Sequence, residues 1–469
     1  MGLIQVEIMA KQLVIIGGGP AATNAIETIR QYNTDDQITL ICDELAHSRM
    51  ALPYWLAGSI PETQTHTADA NWFSKLKVDA KIGQRVTRLD DQAKKLTLSD
   101  ESQIEFDELL IATGSRPLEL PIPGADLPGV HYLWTLKDTE AVLAAAAQQD
   151  KPRIVMIGAG FIGLIVLNAM FKRGWNLAVI ERENYLLPRM LNQDAAKILA
   201  SWLQARNIPI HLNTGAHSIT AHEDGSKRVI LADGGEIAAD IVIVATGVQP
   251  NIELAKGTSL QTDHGILVDD HLRTNVPCIY AAGDVAQGPN LLDGSRAIHA
   301  IQTTAVDHGR VAGANMAGQE ITYCGSLSMN VLDVCQLQCA SFGTWDDLSA
   351  EPITICNPEG SIYRRFLITD SRITGAMFVG QANDVGMLTD VGMVKGIIQT
   401  QADLGDWINF LRENPFDVRR AFVGARIPEQ LASKTLLGRP TQNRNFRFGN
   451  AEIKHQPGPQ HSAYVNTKS

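Results

Sequence analysis

Residues 11–25 read KQLVIIGGGPAATNA, and residues 152–166 read PRIVMIGAGFIGLIV. In each, an apolar run of strand length meets a glycine cluster and then a helix-like segment. Glycines at such a junction let the backbone turn tightly. The helix behind them offers unpaired N–H groups and the positive end of its dipole to a pyrophosphate. A second pair of stretches repeats downstream, FDELLIATGSRP at 106–117 and ADIVIVATGVQP at 239–250. The glycine loops lie 141 residues apart and the ATG segments 133. Two elements repeated in the same order at similar offsets imply two copies of one nucleotide-binding unit. The expected fold class is α/β, with two Rossmann-like dinucleotide-binding domains and a C-terminal α+β domain.

The first loop is Gly17-x-Gly19-x-x-Ala22, with Pro20 opening the helix. A second strand, Gln37–Cys42, ends at Asp43 and Glu44, either of which can accept hydrogen bonds from a ribose. The second loop, Gly158-x-Gly160-x-x-Gly163, carries the complete fingerprint, with Phe161 and Ile162 opening its helix. Its second strand, Asn176–Ile180, ends at Glu181, the expected ribose ligand. A carboxylate there repels the extra phosphate of NADP, which favours NADH over NADPH, although Arg182 follows directly. Two dinucleotide sites imply two dinucleotides, one a flavin and the other a nicotinamide, brought together for hydride transfer.

The whole chain sets bounds on this reading. It has 469 residues, 45% hydrophobic and 19% charged, as expected of a folded protein rather than a disordered or collagen-like one. A net charge of −11 argues against sequence-independent nucleic-acid binding. No segment has the roughly 20 apolar residues of a membrane span. The opening MGLIQVEIMAKQ lacks the pattern of a secretory signal, so a cytoplasmic location is the default. The six cysteines are scattered, and none are spaced as Cys-x-x-Cys. Cys335 and Cys339 read as structural thiols on a strand and turn, and no metal site is expected. Likewise His299 and His308 read as polar helix residues.

An alanine-rich helix is expected at Ala141–Gln149, and Lys151-Pro152 breaks it before the second repeat. From residue 321 the texture changes to short β-like runs at Ser328–Leu332, Ala340–Gly343, Ile362–Ile368 and Ile373–Val379. Much of 435–469 reads as a mobile tail. The domains expected are a discontinuous first dinucleotide domain at 10–118 and 253–320, a second at 119–252, a cap at 321–425 and a polar tail at 426–469.

With those motifs in place, the chain resembles the FAD-dependent pyridine nucleotide oxidoreductases of the two-dinucleotide-domain fold over about residues 11–425. It is most similar to the ferredoxin and rubredoxin reductases and to the flavin module of nitrite reductases. The resemblance rests on both loops, on Ala112-Thr113-Gly114 and Ala245-Thr246-Gly247, and on GILVDDHLRTNVPCIYAAGDVAQ at 265–287. It implies FAD at the first unit and NADH at the second. It also implies that Gly283 and Asp284 hold the FAD ribityl and phosphate region, and that the helix containing Thr304 points at the flavin. HSRMALPYWLAG, residues 47–58, resembles the family's flavin-contacting loop, with Ser48, Arg49 and Pro53 at the matching positions.

Two departures qualify the resemblance. Met50 stands where the related NADH oxidases, NADH peroxidases and coenzyme A disulfide reductases carry a redox cysteine, and methionine forms no thiolate. Ile165 stands where many relatives have a glutamate, and Tyr54 where ferredoxin reductases have a lysine. The expected chemistry is therefore that of the cofactors, with no catalytic side chain assigned. The function implied is hydride transfer from NADH to FAD, then electron delivery to a separate rubredoxin, ferredoxin or nitrite reductase-type partner. The alternatives are an NADH oxidase or quinone reductase, or a slow-turnover flavin- and NADH-binding sensor or assembly protein. From Arg426 onward the chain carries +5, against −16 for the rest, so the expected partner is a small acidic electron-transfer protein. A homodimer through the cap is left open.

Overall fold

A computed structural model describes residues 10–432, together with two short paired strands, Phe446–Phe448 and Ala451–Ile453. The mobile tail and most of the basic arm expected from the sequence lie outside the described residues. The chain divides into two compact units that meet between Cys339 and Ala340.

In chain order the first unit begins with β1 (Gln12–Ile16), α1 (Pro20–Tyr32), β2 (Gln37–Cys42), α2 (Leu52–Leu56), β3 (Val78–Ile82) and β4 (Glu108–Ile111). There follow β5 (Val130–His131), α3 (Leu136–Ala146), β6 (Arg153–Ile157), α4 (Phe161–Lys172), β7 (Asn176–Ile180), α5 (Gln193–Gln204), β8 (Ile210–His211) and β9 (Ile241–Val244). Last come β10 (Ile279–Ala281) and α6 (Gln302–Met316). These elements make two five-stranded parallel sheets, ordered β10-β4-β1-β2-β3 and β8-β7-β6-β9-β5. The first sheet draws β10 from beyond the second sheet in sequence, so the chain leaves the first sheet, builds the second and returns.

Leu13, Val14 and Ile15 are wholly buried, as are Leu109, Leu110 and Ile111 on the neighbouring strand. Strands with helices on both faces need such unbroken apolar runs, and that is why they stand out in the sequence. Strands β2 and β7 have the bounds expected for them. The helix expected at Ala141–Gln149 instead spans Leu136–Ala146. Its start is set by a capping box, in which Thr135 accepts the Asp138 N–H and the Asp138 carboxylate accepts the Thr135 N–H.

The repeat is visible in the packing. Gly17 has φ +108°, and a Cβ there would lie 2.1 Å from the Ala112 carbonyl oxygen. Gly158 has φ +100°, and a Cβ there would lie 2.4 Å from the Ala245 carbonyl oxygen. In both copies, then, the first glycine of the loop presses against the ATG segment of its own unit. Helix α6 approaches α1 just as closely, since a Cβ on Gly309 would lie 2.2 Å from the Ala21 oxygen and one on Gly313 2.5 Å from that of Ala25.

The second unit carries the antiparallel strands Glu351–Asn357, Ile362–Thr369 and Arg372–Gln381, followed by the helix Val385–Thr400. Tyr363, Phe366 and Phe378 fill its core. The buried Arg364 is paired with Asp390 on that helix and stacks on Phe416, 4.5 Å from the ring centroid. The observed strands extend the runs expected at Ile362–Ile368 and Ile373–Val379. Among the described residues, no helix is long and apolar enough to cross a membrane.

Candidate functional site

The first glycine loop links β1 to α1. Gly19 is the N-cap of α1 and supplies no side-chain cap, Pro20 sits in the first turn, and no acidic residue lies there. The helix N-terminus therefore keeps donors and a positive dipole end for an anionic group. Ala22 is fully buried where the second copy has glycine.

At the end of β2 the two candidate acids separate. Asp43 is exposed and its carboxylate pairs with Arg85 at 2.6 Å. Glu44 is partly buried, and its Oε2 accepts the Leu136 N–H at the start of α3 at 3.3 Å. Burial raises the Glu44 pKa above the usual carboxylate range. Of the two, only Glu44 turns inward, toward the start of α3.

Ser48, Arg49, Asp284 and the first ATG segment converge. The Ser48 hydroxyl donates to Gln302 Oε1 at 3.0 Å, which ties the 47–58 loop to the start of α6. Arg49 Nη1 lies 3.4 Å from Asp284 Oδ2, and the Ser115 hydroxyl donates to the same oxygen at 2.6 Å. Burial pulls the Arg49 pKa down, opposed by Asp284 and Glu44. Arg49 Nε is sealed from solvent without a protein hydrogen-bond partner. A buried guanidinium donor left unpaired is costly, so a ligand acceptor at this point fits the side chains present. Gly114, with φ +66°, leaves room beside the same guanidinium. Pro53 lies in the first turn of α2, and the Thr113 hydroxyl donates to the Asn251 carbonyl oxygen at 2.9 Å.

Gly283 adopts φ +76°, and its N–H points at His308 Nδ1, 3.3 Å away. His308 is a buried residue of α6, as is Thr304. Desolvation, with a smaller contribution from His299, lowers the His308 pKa to about 3. The ring is therefore neutral, and its Nδ1 is the acceptor. An unfolded chain takes up this proton below about pH 6.5. The stability held by the neutral ring is thus complete above that pH and declines as pH falls from there toward 3. Between pH 7 and 5 the wild type should lose about 2 kcal/mol more than His308→Gln, whose amide can still accept the Gly283 N–H. Melting curves of the two proteins at both pH values check this.

In the second loop Gly160 caps α4, whose first residues are Phe161 and Ile162. A Cβ on Gly163 would lie 2.3 Å from the Gly158 oxygen, so only glycine lets α4 pack this tightly onto its loop. Glu181 is buried, its Oε2 accepting the Ala159 N–H at 2.7 Å and its Oε1 the Glu183 N–H at 3.0 Å. Arg182 is exposed and faces Glu183, 3.4 Å away. Beside the loop lies a small apolar cleft lined by Ile162, Val166, Ala245, Gly247, Leu133 and Trp134.

The structure thus brings Arg49, Gly114 and Asp284 together in the first unit and Gly158, Gly163, Glu181 and Ala245 together in the second, whereas Asp43 turns away to Arg85. Sequence reasoning missed Trp134, Ser115 and the contact of His308 with Gly283. Ser115 follows directly on the first ATG segment, but its role, like that of Trp134 and His308, shows only through contacts with other segments of the chain. Met50 is 40% exposed and Tyr54 55%. Cys335 sits in a hairpin turn at φ +51°, with Cys339 on the strand that follows. Both thiols are buried, and desolvation raises both pKa values.

Comparison with known proteins adds four likenesses. Residues 11–308 match the family described as pyridine nucleotide-disulphide oxidoreductase. The chain is 32% identical over 340 residues to an NADH oxidase of Methanocaldococcus jannaschii, covering 70% of this chain and 75% of that protein. It is 35% identical over 316 residues to a rhodocoxin reductase of Rhodococcus erythropolis, covering 66% and 73%. Among solved structures, an NAD-dependent persulfide reductase from A. fulgidus superposes with a TM-score of 0.77 at 27% identity, covering 85% of this chain and 78% of that one.

Proposed function

The chain belongs to the pyridine nucleotide-disulphide oxidoreductase family, and from that premise we propose that it passes a hydride from NADH to FAD and then electrons to a separate redox protein. It is an NAD(P)H-dependent flavoprotein oxidoreductase. The observation that carries the reading is the duplicated loop, in which Gly17 and Gly158 each press on the ATG segment of their own unit. FAD is assigned to the first loop, with Glu44 toward its ribose and Arg49, Ser48, Gly283 and Asp284 toward the flavin and phosphate region. NADH is assigned to the second, with Glu181 toward its ribose and the apolar residues of the cleft bordering the nicotinamide.

When bound, the two cofactors supply the redox chemistry. The side chains bind, orient and exclude water. Arg49 and the two helix N-termini offset phosphate charge. The anionic Glu181, already committed to two backbone N–H groups, disfavours a second phosphate nearby. The apolar cleft walls keep water from the ring.

A separate protein acceptor is supported by the likeness to a rhodocoxin reductase. The +5 charge from Arg426 onward favours an acidic one. The likeness to an NADH oxidase supports the second reading, oxygen as acceptor. Anaerobic mixing of the purified flavoprotein with NADH separates the possibilities. Rapid bleaching of the flavin band, followed by reoxidation by a rubredoxin or ferredoxin that slows as salt rises, is the expected result. Fast reoxidation by oxygen alone would favour the oxidase, and slow bleaching with no acceptor a sensor.

Thiol chemistry can be tested separately. Among the described residues the exposed cysteines are Cys324 and Cys356, and Met50 offers only a thioether. Alkylation with iodoacetamide should therefore leave the rate of flavin reduction by NADH within about twofold of the untreated protein, because burial keeps Cys42, Cys335 and Cys339 as unreactive thiols.

A further inference from the structure

Trp134 lies immediately before Thr135, the N-cap of α3, and three contacts hold it. Its backbone N–H donates to Asp138 Oδ2 at 3.0 Å, within the capping box. Its indole N–H donates to the Ser115 carbonyl oxygen at 2.6 Å. The Arg49 guanidinium stacks over its ring, 4.0 Å from the centroid. The same residue lines the apolar cleft beside the second glycine loop, with Ile162, Val166 and Gly247.

These contacts close a ring of four residues. Trp134 bonds to Ser115, Ser115 donates its hydroxyl to Asp284, Asp284 pairs with Arg49, and Arg49 stacks on Trp134. Three members belong to the first cluster, and Trp134 alone also borders the second. We propose that Trp134 is a positioning residue that aligns the two halves of the site. Its ring holds Arg49 toward Asp284 on the flavin side, and it walls the nicotinamide cleft on the other. The inference rests on the assignment of FAD and NADH to these two clusters.

The physical basis is simple. Arg49 keeps one buried donor, Nε, free of any protein partner, and a guanidinium with a free donor could swing away from the cofactor. Stacking on an indole restrains the guanidinium plane without using any of its N–H groups, so those not turned to Asp284 stay available to an anionic ligand. Ser115 in turn fixes the indole. No aliphatic side chain can do both, and phenylalanine can stack but cannot reach Ser115 through an N–H.

Three substitutions separate the two roles, each checked for folding by its melting curve. FAD affinity is measured by equilibrium dialysis of the holoprotein without nucleotide, and NADH by steady-state kinetics. W134A should raise the FAD dissociation constant about tenfold and the KM for NADH about tenfold, with kcat changed less than about threefold. W134L restores an apolar wall without the cation–π contact, so its KM should return to within about threefold of wild type while FAD stays weakly held. W134F, which keeps the stack but loses the Ser115 bond, should return the KM to within about threefold of wild type and hold FAD between W134L and wild type. Unchanged FAD affinity in W134A, or equal FAD affinity in W134L and W134F, would overturn the proposal. A wild-type holoprotein whose flavin NADH fails to bleach would instead overturn the nucleotide assignment, because the dialysis arm contains no nucleotide.

Discussion

Gly309→Ala should yield a protein that retains little flavin and melts about 3–4 °C lower than wild type. The added methyl group would sit 2.2 Å from the Ala21 carbonyl oxygen, which belongs to the first turn of α1 rather than to a flexible side chain. One of the two helices must move, and overpacking of this kind costs about 3 kcal/mol. The displacement also falls at the end of α1 that faces the first glycine loop. Loss of flavin should therefore exceed what the stability change alone would cause. Differential scanning fluorimetry and the ratio of flavin to protein absorbance measure both effects. A fully flavinated Gly309→Ala protein would mean that α1 and α6 are not held at this spacing.

Glu181→Ala is expected to lower kcat/KM for NADH about 100-fold while changing that for NADPH much less. The carboxylate holds the loop through the Ala159 and Glu183 N–H groups, and both are charge-assisted bonds. Losing them leaves a buried N–H unpaired at the heart of the second fingerprint, a cost of about 2–3 kcal/mol. The ribose contact assigned to the same group goes as well. For NADPH these losses are offset, because the carboxylate no longer repels the extra phosphate. Steady-state kinetics with both nucleotides check the prediction, and an unchanged NADH to NADPH ratio would remove Glu181 from the ribose site.

Parts of the molecule were legible because of how parallel sheets are built. Strands covered on both faces are continuous apolar runs, so β2 and β7 could be bounded from residue types alone. The edge strand Glu351–Asn357, by contrast, is largely exposed and begins at Glu351-Pro352, so it shows neither an apolar run nor a clean alternation. The start of α3 depends on a reciprocal pair of hydrogen bonds between Thr135 and Asp138, whereas the alanine-rich stretch lies downstream of them.

The sequence by itself determined that one nucleotide-binding unit occurs twice, because the two glycine loops and two ATG segments are local patterns whose spacing survives duplication. It also determined the absence of a thiol at position 50, which residue identity settles outright. Only the tertiary structure decided which acid at the end of β2 turns inward. Asp43 and Glu44 are adjacent and chemically alike, and their difference arises from distant partners, Arg85 for one and the Leu136 N–H for the other. The ring of Trp134, Ser115, Asp284 and Arg49 is of the same kind. Its members are spread from residue 49 to residue 284, and no spacing rule links side chains that meet only after two sheets have been assembled and the chain has returned to the first.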